Sequence, residues 1–556
     1  MLTFNFNKIT LSNDHGIMLD LGCGEGRHIF AVMEKFPNIK CVGLDPDLES
    51  LDKSLEGLEY FKDISNKDTS FTSGSAYCLP FKDNTFDLVI CSEVLEHLHE
   101  YNDAIKEINR VLKSGGKFLA SVPSEFPEKI CWFLSKDYQN QPGGHLRIFK
   151  KRKLIKEICD EDFLFLCSER FHSIHSPYWW LRCLFWNTQD TNILIKAYKK
   201  FLETHILKKP LWIDLIDQFF NPILGKSIAL YFEKKMNWDK YKSLLRPALD
   251  WIIKNQLNDG SIQWDEKGKC DPWDHCECLI ALAIYEEWEA YDKGVEWFFK
   301  NLNDDGLIYS EYQNCKPSKF YFESHHAPYI IFPLKQASLL HKRKSKEFKE
   351  FEFKIDKIFN ALNSFKDNDG YFYWAKNEKG YSDNSLITAT MSNIMSEKLY
   401  KNNNSVNLDL SLWDQKFDRD GEDRSRFSMD FYYPYMAGVK KNQQVFKKNL
   451  EDFYVSGLGV KCVKEEPWVT VAESSECLLA AIICGEHRVA KDIFKDILKY
   501  QNPDGIFPTG YQYELDILWP EENSTWSNAA IIIGAHALCN LNKTNENVFL
   551  LLRDLS

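Results

Sequence analysis

The chain has 556 residues, which at roughly 100–200 residues per domain predicts more than one core. Hydrophobic residues make up 44% and charged residues 27%, a composition that excludes a disordered chain or a fibre. Asp plus Glu number 81 against 69 Lys plus Arg, a net charge of −12, and the basic runs are short (Lys150-Lys151-Arg152 and His341-Lys342-Arg343-Lys344), so nucleic acid is a poor partner. Aromatic usage is high, with 39 Phe, 25 Tyr and 16 Trp, and suits helix packing and a lined cavity. No apolar run reaches the roughly 18 residues of a membrane span, and Met1-Leu2-Thr3-Phe4-Asn5-Phe6 lacks the features of a secretory signal. The 16 cysteines contain no CxxC pair, which excludes a zinc ribbon and reads as buried thiols in a reducing compartment. The expected localisation is cytoplasmic.

Ile17 to Gly22 is a short apolar run of the kind that fills a buried parallel strand. It leads into Gly22-Cys23-Gly24-Glu25-Gly26 and a helical stretch from Arg27 to Phe36. Glycines there let the backbone turn tightly and approach a bound nucleoside. A second strand, Lys40 to Leu44, ends in Asp45, where an acidic residue accepts hydrogen bonds from ribose hydroxyls. Phe86 to Cys91 is a third strand, followed by Glu93-Val94-Leu95-Glu96-His97. Lys117 to Val122, after Gly115-Gly116, is a fourth. Strands alternating with helices predict a parallel α/β sheet.

Five segments in order, Asp20 to Gly26, Gly43-Leu44-Asp45, Leu79-Pro80-Phe81, Phe86-Asp87 and Ser92 to His97, resemble the class I S-adenosylmethionine methyltransferases, most of all the branch with ubiquinone-type O-methyltransferases. The resemblance covers about 150 residues and implies a Rossmann-like fold and S-adenosylmethionine as cofactor. It places Gly22, Gly24 and Gly26 around the methionine part, Asp20 near the ammonium, Asp45 on the ribose and Ala76 beside the adenine. The family often has Asp before that alanine; here Ser75 offers a weaker acceptor. Glu93, Glu96 and His97 match a Glu-x-x-Glu-His pattern that binds a divalent metal in some relatives; a solvated carboxylate pair is the favoured reading, so no metal is expected. His145, in Gly143-Gly144-His145, lies beside the implied acceptor pocket, where it either takes a proton or anchors its loop; His97 is the other candidate.

The core is expected to span residues 1–170, with an aromatic-rich helical extension over 171–236. Tyr178 to Trp186 and Pro210 to Lys234 would cap the acceptor site, lie on a membrane surface or pack against the next domain. From 243 to 548 helical patterns dominate, punctuated by Asp259-Gly260, Asp305-Gly306, Asp369-Gly370, Asp420-Gly421 and Asp504-Gly505, with Gly457-Leu458-Gly459 as a further turn. Six helical hairpins of about 50 residues would fill this stretch as an α/α toroid.

Gln256 to Gly260 and Gln501 to Gly505 resemble the Gln-x-x-Asp-Gly repeats of the terpenoid-cyclase and protein-prenyltransferase superfamily, and the region is also similar to six-hairpin glycosidases. No Asp-x-Asp-Asp string occurs, against squalene-type cyclisation. Zinc-dependent prenyl transfer would draw on Asp274-His275-Cys276 with His325 or His326, a pattern more readily read as coincidence. Carboxylates among aromatics mark the unit starts: Asp271, Asp274, His275 and Glu277; Glu323; Asp383; Asp430; Glu473 and Glu476; Glu521. They either cap helices or converge on a saccharide pocket. The reading is an α/β methyltransferase fused to an all-α toroid. It acts on a small molecule, a saccharide or polyprenyl-linked metabolite, which the toroid binds or processes. The alternatives make the toroid the main catalyst or a non-catalytic carbohydrate- or lipid-binding module.

Overall fold

The computed structural model describes residues 2–9, 16–60, 69–141, 143–208, 210–340, 347–403, 408–417, 424–541 and 543–555. The chain divides into two units, Met1–Met236 and Asn237–Ser556.

The first unit is an α/β layer structure. Its elements are β1 (Ile17–Leu21), α1 (Arg27–Lys35), β2 (Lys40–Asp45), α2 (Leu48–Glu59), β3 (Thr69–Ser73), β4 (Phe86–Ser92), α3 (Tyr101–Val111) and β5 (Leu112–Pro123). They are followed by α4 (Glu125–Leu134), α5 (Lys136–Gln139), α6 (Lys151–Asp160), β6 (Phe163–Phe171), α7 (His175–Leu184), α8 (Ile193–Lys208), α9 (Leu211–Leu224) and β7 (Ser227–Lys234). The seven strands lie in the order β3-β2-β1-β4-β5-β7-β6. The first five are parallel, and β7 runs antiparallel to both its neighbours. β4 is buried along its whole length, as a parallel strand covered on both faces must be.

Two of these strands depart from the sequence reading. β3 (Thr-Ser-Phe-Thr-Ser) lies half-exposed at the sheet edge, so no apolar run marks it. β7 lies inside the stretch read as helical, and its residues Ser227–Glu233 are buried because it inserts between β5 and β6. The sheet therefore extends past residue 170, and α7–α9 form an insertion between two adjacent strands. Within it, Tyr178, Trp179 and Trp180 are half-buried, and Trp180 Nε1 donates to Pro127 O at 3.1 Å, which ties α7 to α4. The Tyr178–Trp186 segment thus packs inside its own unit.

In the second unit, helices buried all round alternate with amphipathic ones. The buried set is α12 (Pro272–Tyr285), α14 (Ile331–Leu339), α16 (Ile387–Lys401), α18 (Ser428–Met436), α20 (Val471–Ile483) and α22 (Thr525–Cys539). Each packs on the next, and α22 packs back on α12. Between them in sequence come α13 (Trp288–Lys300), α15 (Glu347–Phe365), α17 (Trp413–Phe417), α19 (Gln443–Leu450) and α21 (His487–Leu498). α10 (Trp238–Leu244) and α11 (Arg246–Lys254) precede the set and α23 (Val548–Asp554) follows it. Short strands accompany the helices after residue 243: among the described residues, pieces of two to four residues pair into two three-stranded sheets and one five-stranded sheet. They are too short to show alternation in the sequence.

The Asp-Gly turns follow α11, α13, α15 and α21, each leading toward a buried helix, and Gly457-Leu458-Gly459 does the same after α19; Asp420-Gly421 lies outside the described residues. The Gln-x-x-Asp-Gly signature is a clamp. Gln256 Nε2 donates to Gly260 O and to Ala290 O at the neighbouring α13; Gln501 Nε2 donates to Gly505 O and to Leu244 O.

Gly260 has φ +98°, and a Cβ there would stand 2.1 Å from Lys293 O; Gly457 has φ +80° and open space around it. Gly260→Ala is expected to cost about 2–3 kcal/mol in denaturant unfolding, and Gly457→Ala about 1 kcal/mol. Equal losses would show that backbone strain alone, not the close approach, sets the cost.

Candidate functional site

The glycine loop leaves β1 at the sheet's switch point, where α/β folds bind ligands beyond the strand ends. Gly22 has φ +72°, and a Cβ there would strike Val94 Cγ2 at 2.3 Å. Gly22 N–H donates to Leu44 O at 2.7 Å, which fixes the loop on β2. Gly24 N–H donates to Asp45 Oδ2 at 2.8 Å, and Asp47 N–H donates to Asp45 Oδ1 at 2.9 Å. Gly26 caps α1 in the left-handed conformation.

Asp20 is completely buried, and neither carboxylate oxygen has a hydrogen-bond partner. Burial raises its pKa to about 7, with Arg27 opposing and Asp45 reinforcing. A buried carboxyl without a donor, beside a loop where a Cβ at Gly24 would enter open space, fits a ligand carrying an ammonium. Ser75 is exposed and its Oγ accepts from Tyr77 N–H at 3.3 Å, while Ala76 is half-buried against the core.

A cavity of about 300 Å3 is lined by Arg27, Glu93, Tyr138, His145, Trp179 and Lys226, among others. Its organising group is Glu128 on α4, a residue the sequence reading missed. Glu128 is fully buried; Oε1 lies 2.8 Å from His145 Nδ1 and accepts from Tyr138 Oη at 3.0 Å, and Oε2 accepts from Lys226 Nζ at 2.5 Å. Burial pushes its pKa up, but His145 and Lys226 outweigh that and bring it to about 2. An ionised carboxylate only accepts, so His145 Nδ1 carries a hydrogen, and in the neutral ring Nε2 is left with the lone pair.

His97 is held separately, its Nδ1 donating to Gly144 O at 3.2 Å, with its ring 5.0 Å from that of His145. Burial lowers the His97 pKa. Glu96 is buried without a partner, and burial followed by the Glu93 charge raises its pKa well above the carboxylate range. Glu93 adopts φ +56° and accepts from Ser121 Oγ at 3.1 Å. Glu96, His97 and His145 are the groups with ligand atoms within 4.8 Å of one another, so His145 stands where the pattern placed Glu93.

In the second unit, acids from several buried helices gather around Trp273, whose ring meets His325, Tyr329 and Tyr433 at centroid distances of 4.7, 5.7 and 6.0 Å. Asp271 N-caps α12 by accepting from Trp273 N–H at 2.8 Å, so the capping reading applies to it. Burial raises the pKa of Asp274 well above its normal value, and the charges of Asp271, Glu277 and Glu476 add to this. Glu277 accepts from Tyr329 Oη at 2.5 Å, and burial lifts its pKa to about 7. Glu476 accepts from Tyr432 Oη at 2.5 Å and Tyr433 Oη at 3.0 Å; burial, then the Glu277 charge, raises it further. Glu473 is buried one turn earlier on α20.

Glu323 accepts from Ser310 Oγ and Trp374 Nε1; burial raises its pKa, but His326 and His325 prevail and bring it to about 2. Glu323, His325 and His326 form a second group with ligand atoms within 4.8 Å. Asp430 is paired with Arg424 at 2.5 Å.

Three expected pocket residues stand elsewhere. His275 is a brace: Nδ1 accepts from Ile262 N–H at 3.2 Å and Nε2 donates to Gly294 O at 3.1 Å, so neither nitrogen is left for a ligand. Asp383 is exposed. Glu521 is exposed too, and its neighbour Glu522 makes the contact, accepting from Trp264 Nε1 at 2.9 Å. Cys276 is buried, and burial raises its pKa well above the usual thiol value. Tyr432 and Tyr433 belong to the aromatic run read beside Asp430, whereas Tyr329 was missed.

Sheet order, glycine loop and buried Asp20 define the first unit as a class I methyltransferase domain that uses S-adenosylmethionine, and residues 19–120 match the family model described as a methyltransferase domain. Norajmaline N-methyltransferase of Rauvolfia serpentina is 32% identical over 153 residues, 27% of this chain and 47% of its own length. An uncharacterised methyltransferase of Schizosaccharomyces pombe is 41% identical over 102 residues, 18% of this chain and 37% of its own. The chain thus spans less than half the length of these two methyltransferases.

A different relative, MMP endo-(1,4)-3-O-methyl-alpha-D-mannosidase of Mycolicibacterium hassiacum, is 26% identical over 317 residues, 53% of this chain and 85% of its own. A match of that length exceeds the first unit, so part of it falls on the second. Among solved structures, the YcgJ protein of Bacillus subtilis is 19% identical over 40% of this chain and 94% of its own, with a TM-score of 0.27.

Asp20 generates a pH dependence. Its folded pKa of about 7 lies above the unfolded value of about 3.9, so the ligand-free fold loses stability as pH rises between the two. Pairing with an ammonium needs the carboxylate. Cofactor affinity should therefore rise toward pH 7, with proton release on binding, and Asp20→Asn should flatten the profile. Calorimetry in buffers of different ionisation heat measures this; no proton uptake by any buffer would exclude it.

Proposed function

We propose that the first unit methylates a hydroxyl of a saccharide and that the second, an α/α toroid, hydrolyses a related O-methylated saccharide. The observation that carries this reading is the similarity to an enzyme named for 3-O-methyl-mannoside cleavage in a chain that also holds a methyltransferase domain. The succession of buried helices from α12 to α22, which returns on α12, supports the toroid. Fusion of the two units raises the effective concentration of one beside the other.

S-adenosylmethionine supplies an electrophilic methyl group when bound. Asp20, the glycine loop and Asp45 would hold it, and the Glu128-oriented His145 would face the acceptor. His145 Nε2 takes the acceptor hydroxyl proton as the oxygen attacks, and Glu128 stabilises the imidazolium that forms. Lys226 keeps Glu128 ionised and so acts on His145 indirectly.

In the toroid, glycoside hydrolysis needs one proton-bearing carboxyl and one carboxylate. Glu277 and Glu476 are tied to tyrosines. Asp274 is half-buried and its pKa is raised well above the usual carboxylate value, which suits it to protonate the glycosidic oxygen. Glu473 then takes a proton from the attacking water. The tyrosines and Trp273 offer aromatic faces for the sugar.

The test incubates the full chain with methyl-labelled cofactor and α-(1,4)-mannooligosaccharides, unmethylated and 3-O-methylated. Label in the unmethylated oligosaccharide and new reducing ends from the methylated one are expected. His145→Ala should lower kcat for methyl transfer by about 100-fold or more with cofactor affinity unchanged, and Glu128→Gln should change the pH profile of the rate. Asp274→Asn should lose cleavage by about 1,000-fold or more while still binding oligosaccharide. Label transferred only to non-sugar acceptors would overturn the saccharide reading. Binding without cleavage by the parent would reduce the toroid to a recognition module.

A further inference from the structure

The α7–α9 insertion contains a helix built inside out. On α9 three polar side chains turn inward: Asp217 Oδ1 accepts from Ser173 Oγ at 2.8 Å and Ile174 N–H at 3.0 Å, and Asn221 Oδ1 accepts from Ser173 N–H at 2.9 Å. Asp214 Oδ1 lies 2.6 Å from His205 Nε2. The apolar side chains turn outward: Leu211, Trp212, Leu215, Phe219 and Ile223 are each 58–80% exposed, and Ile213 is the buried residue of the helix. Exposure of so continuous an apolar stripe, while Asp214, Asp217 and Asn221 on the other side are engaged, marks a surface made to be covered.

The neighbouring helix says by what. Ile193, Lys196, Ala197, Lys200, Leu207 and Lys208 share one face of α8 at helical spacing, and all are exposed. Lys200 and Lys208 line one open groove with Trp212. Lysines around an apolar stripe with a tryptophan at its edge complement anionic lipid headgroups above acyl chains. A two-fold related copy would set these lysines against their own counterparts, which disfavours self-association. α9 has 14 residues, about 21 Å of helix, against a hydrocarbon core of about 30 Å, so it can only lie in the interface plane. Among the described residues no helix is long and apolar enough to cross.

We propose that α8 and α9 dock the protein on an anionic membrane surface, with the α9 stripe entering the headgroup boundary. This stands independently of the acceptor's identity. The test sediments the full chain with vesicles of phosphatidylcholine alone or with phosphatidylserine added. Binding is expected to the anionic vesicles and to fall about tenfold or more in Leu215→Asp/Phe219→Asp. Lys200→Glu/Lys208→Glu, at exposed positions that leave the fold intact, should abolish the preference for phosphatidylserine. Cofactor binding by calorimetry controls for folding of both variants. The proposal is overturned if the parent stays in the supernatant with anionic vesicles, or if both variants sediment like the parent. It is also overturned if the parent is a dimer that the α9 variant makes monomeric.

Discussion

A carboxyl group taken out of water must find cations or keep its proton, and this chain uses both answers. Glu128 meets the first condition: Lys226 and His145 flank it, so it stays ionised although it is fully buried. In the neutral imidazole that charge decides which nitrogen of His145 bears hydrogen. Three separate pieces of sequence, on α4, in the loop at 145 and just before β7, must meet within hydrogen-bond reach for this to hold. In the second unit Glu277 and Glu476 meet phenols instead of cations, and burial raises both pKa values. The same residue type is held below the usual carboxylate range at Glu128 and raised above it at Glu277 and Glu476, because cations oppose the effect of burial only at the first of these.

Much of the first unit was legible because its signals are local. The apolar run at Ile17–Leu21, the glycines that follow and Asp45 at the end of β2 sit within thirty residues, and each has a backbone reason to be there. The dyad that orients His145 was not legible, since Glu128 and Lys226 are 98 residues apart and neither belongs to a motif. β7 hid for a related reason: its register is set by β5 and β6, which lie far from it in sequence.

In the second unit the turns were easy to read and the pocket was not. Asp-Gly pairs announce themselves because the left-handed conformation demands glycine, and the glutamine of the motif works on the backbone within four residues. Acids at helix starts gave no such guide. Asp271 caps its helix, Glu521 yields its place to Glu522, and Asp383 is exposed, yet all three look alike in the sequence. His275 illustrates the same limit, because a histidine beside two aspartates suggested chemistry where the ring serves as a strut between a turn and α13.

The chain leaves the sheet at Phe171 and returns at Ser227, and these two residues are register partners across β6 and β7. Topologically, the 55 residues between them form one hairpin loop grown to the size of a small module. Such an excursion can be lengthened, shortened or exchanged without altering the order of a single strand. Two constraints travel with it: Trp179 on α7 lines the cavity beside His145, and Lys226, its last residue before β7, supplies a cation to Glu128. A lineage free to redesign the rest of the excursion is therefore bound at these positions, and the insertion and the cavity beside His145 must evolve together.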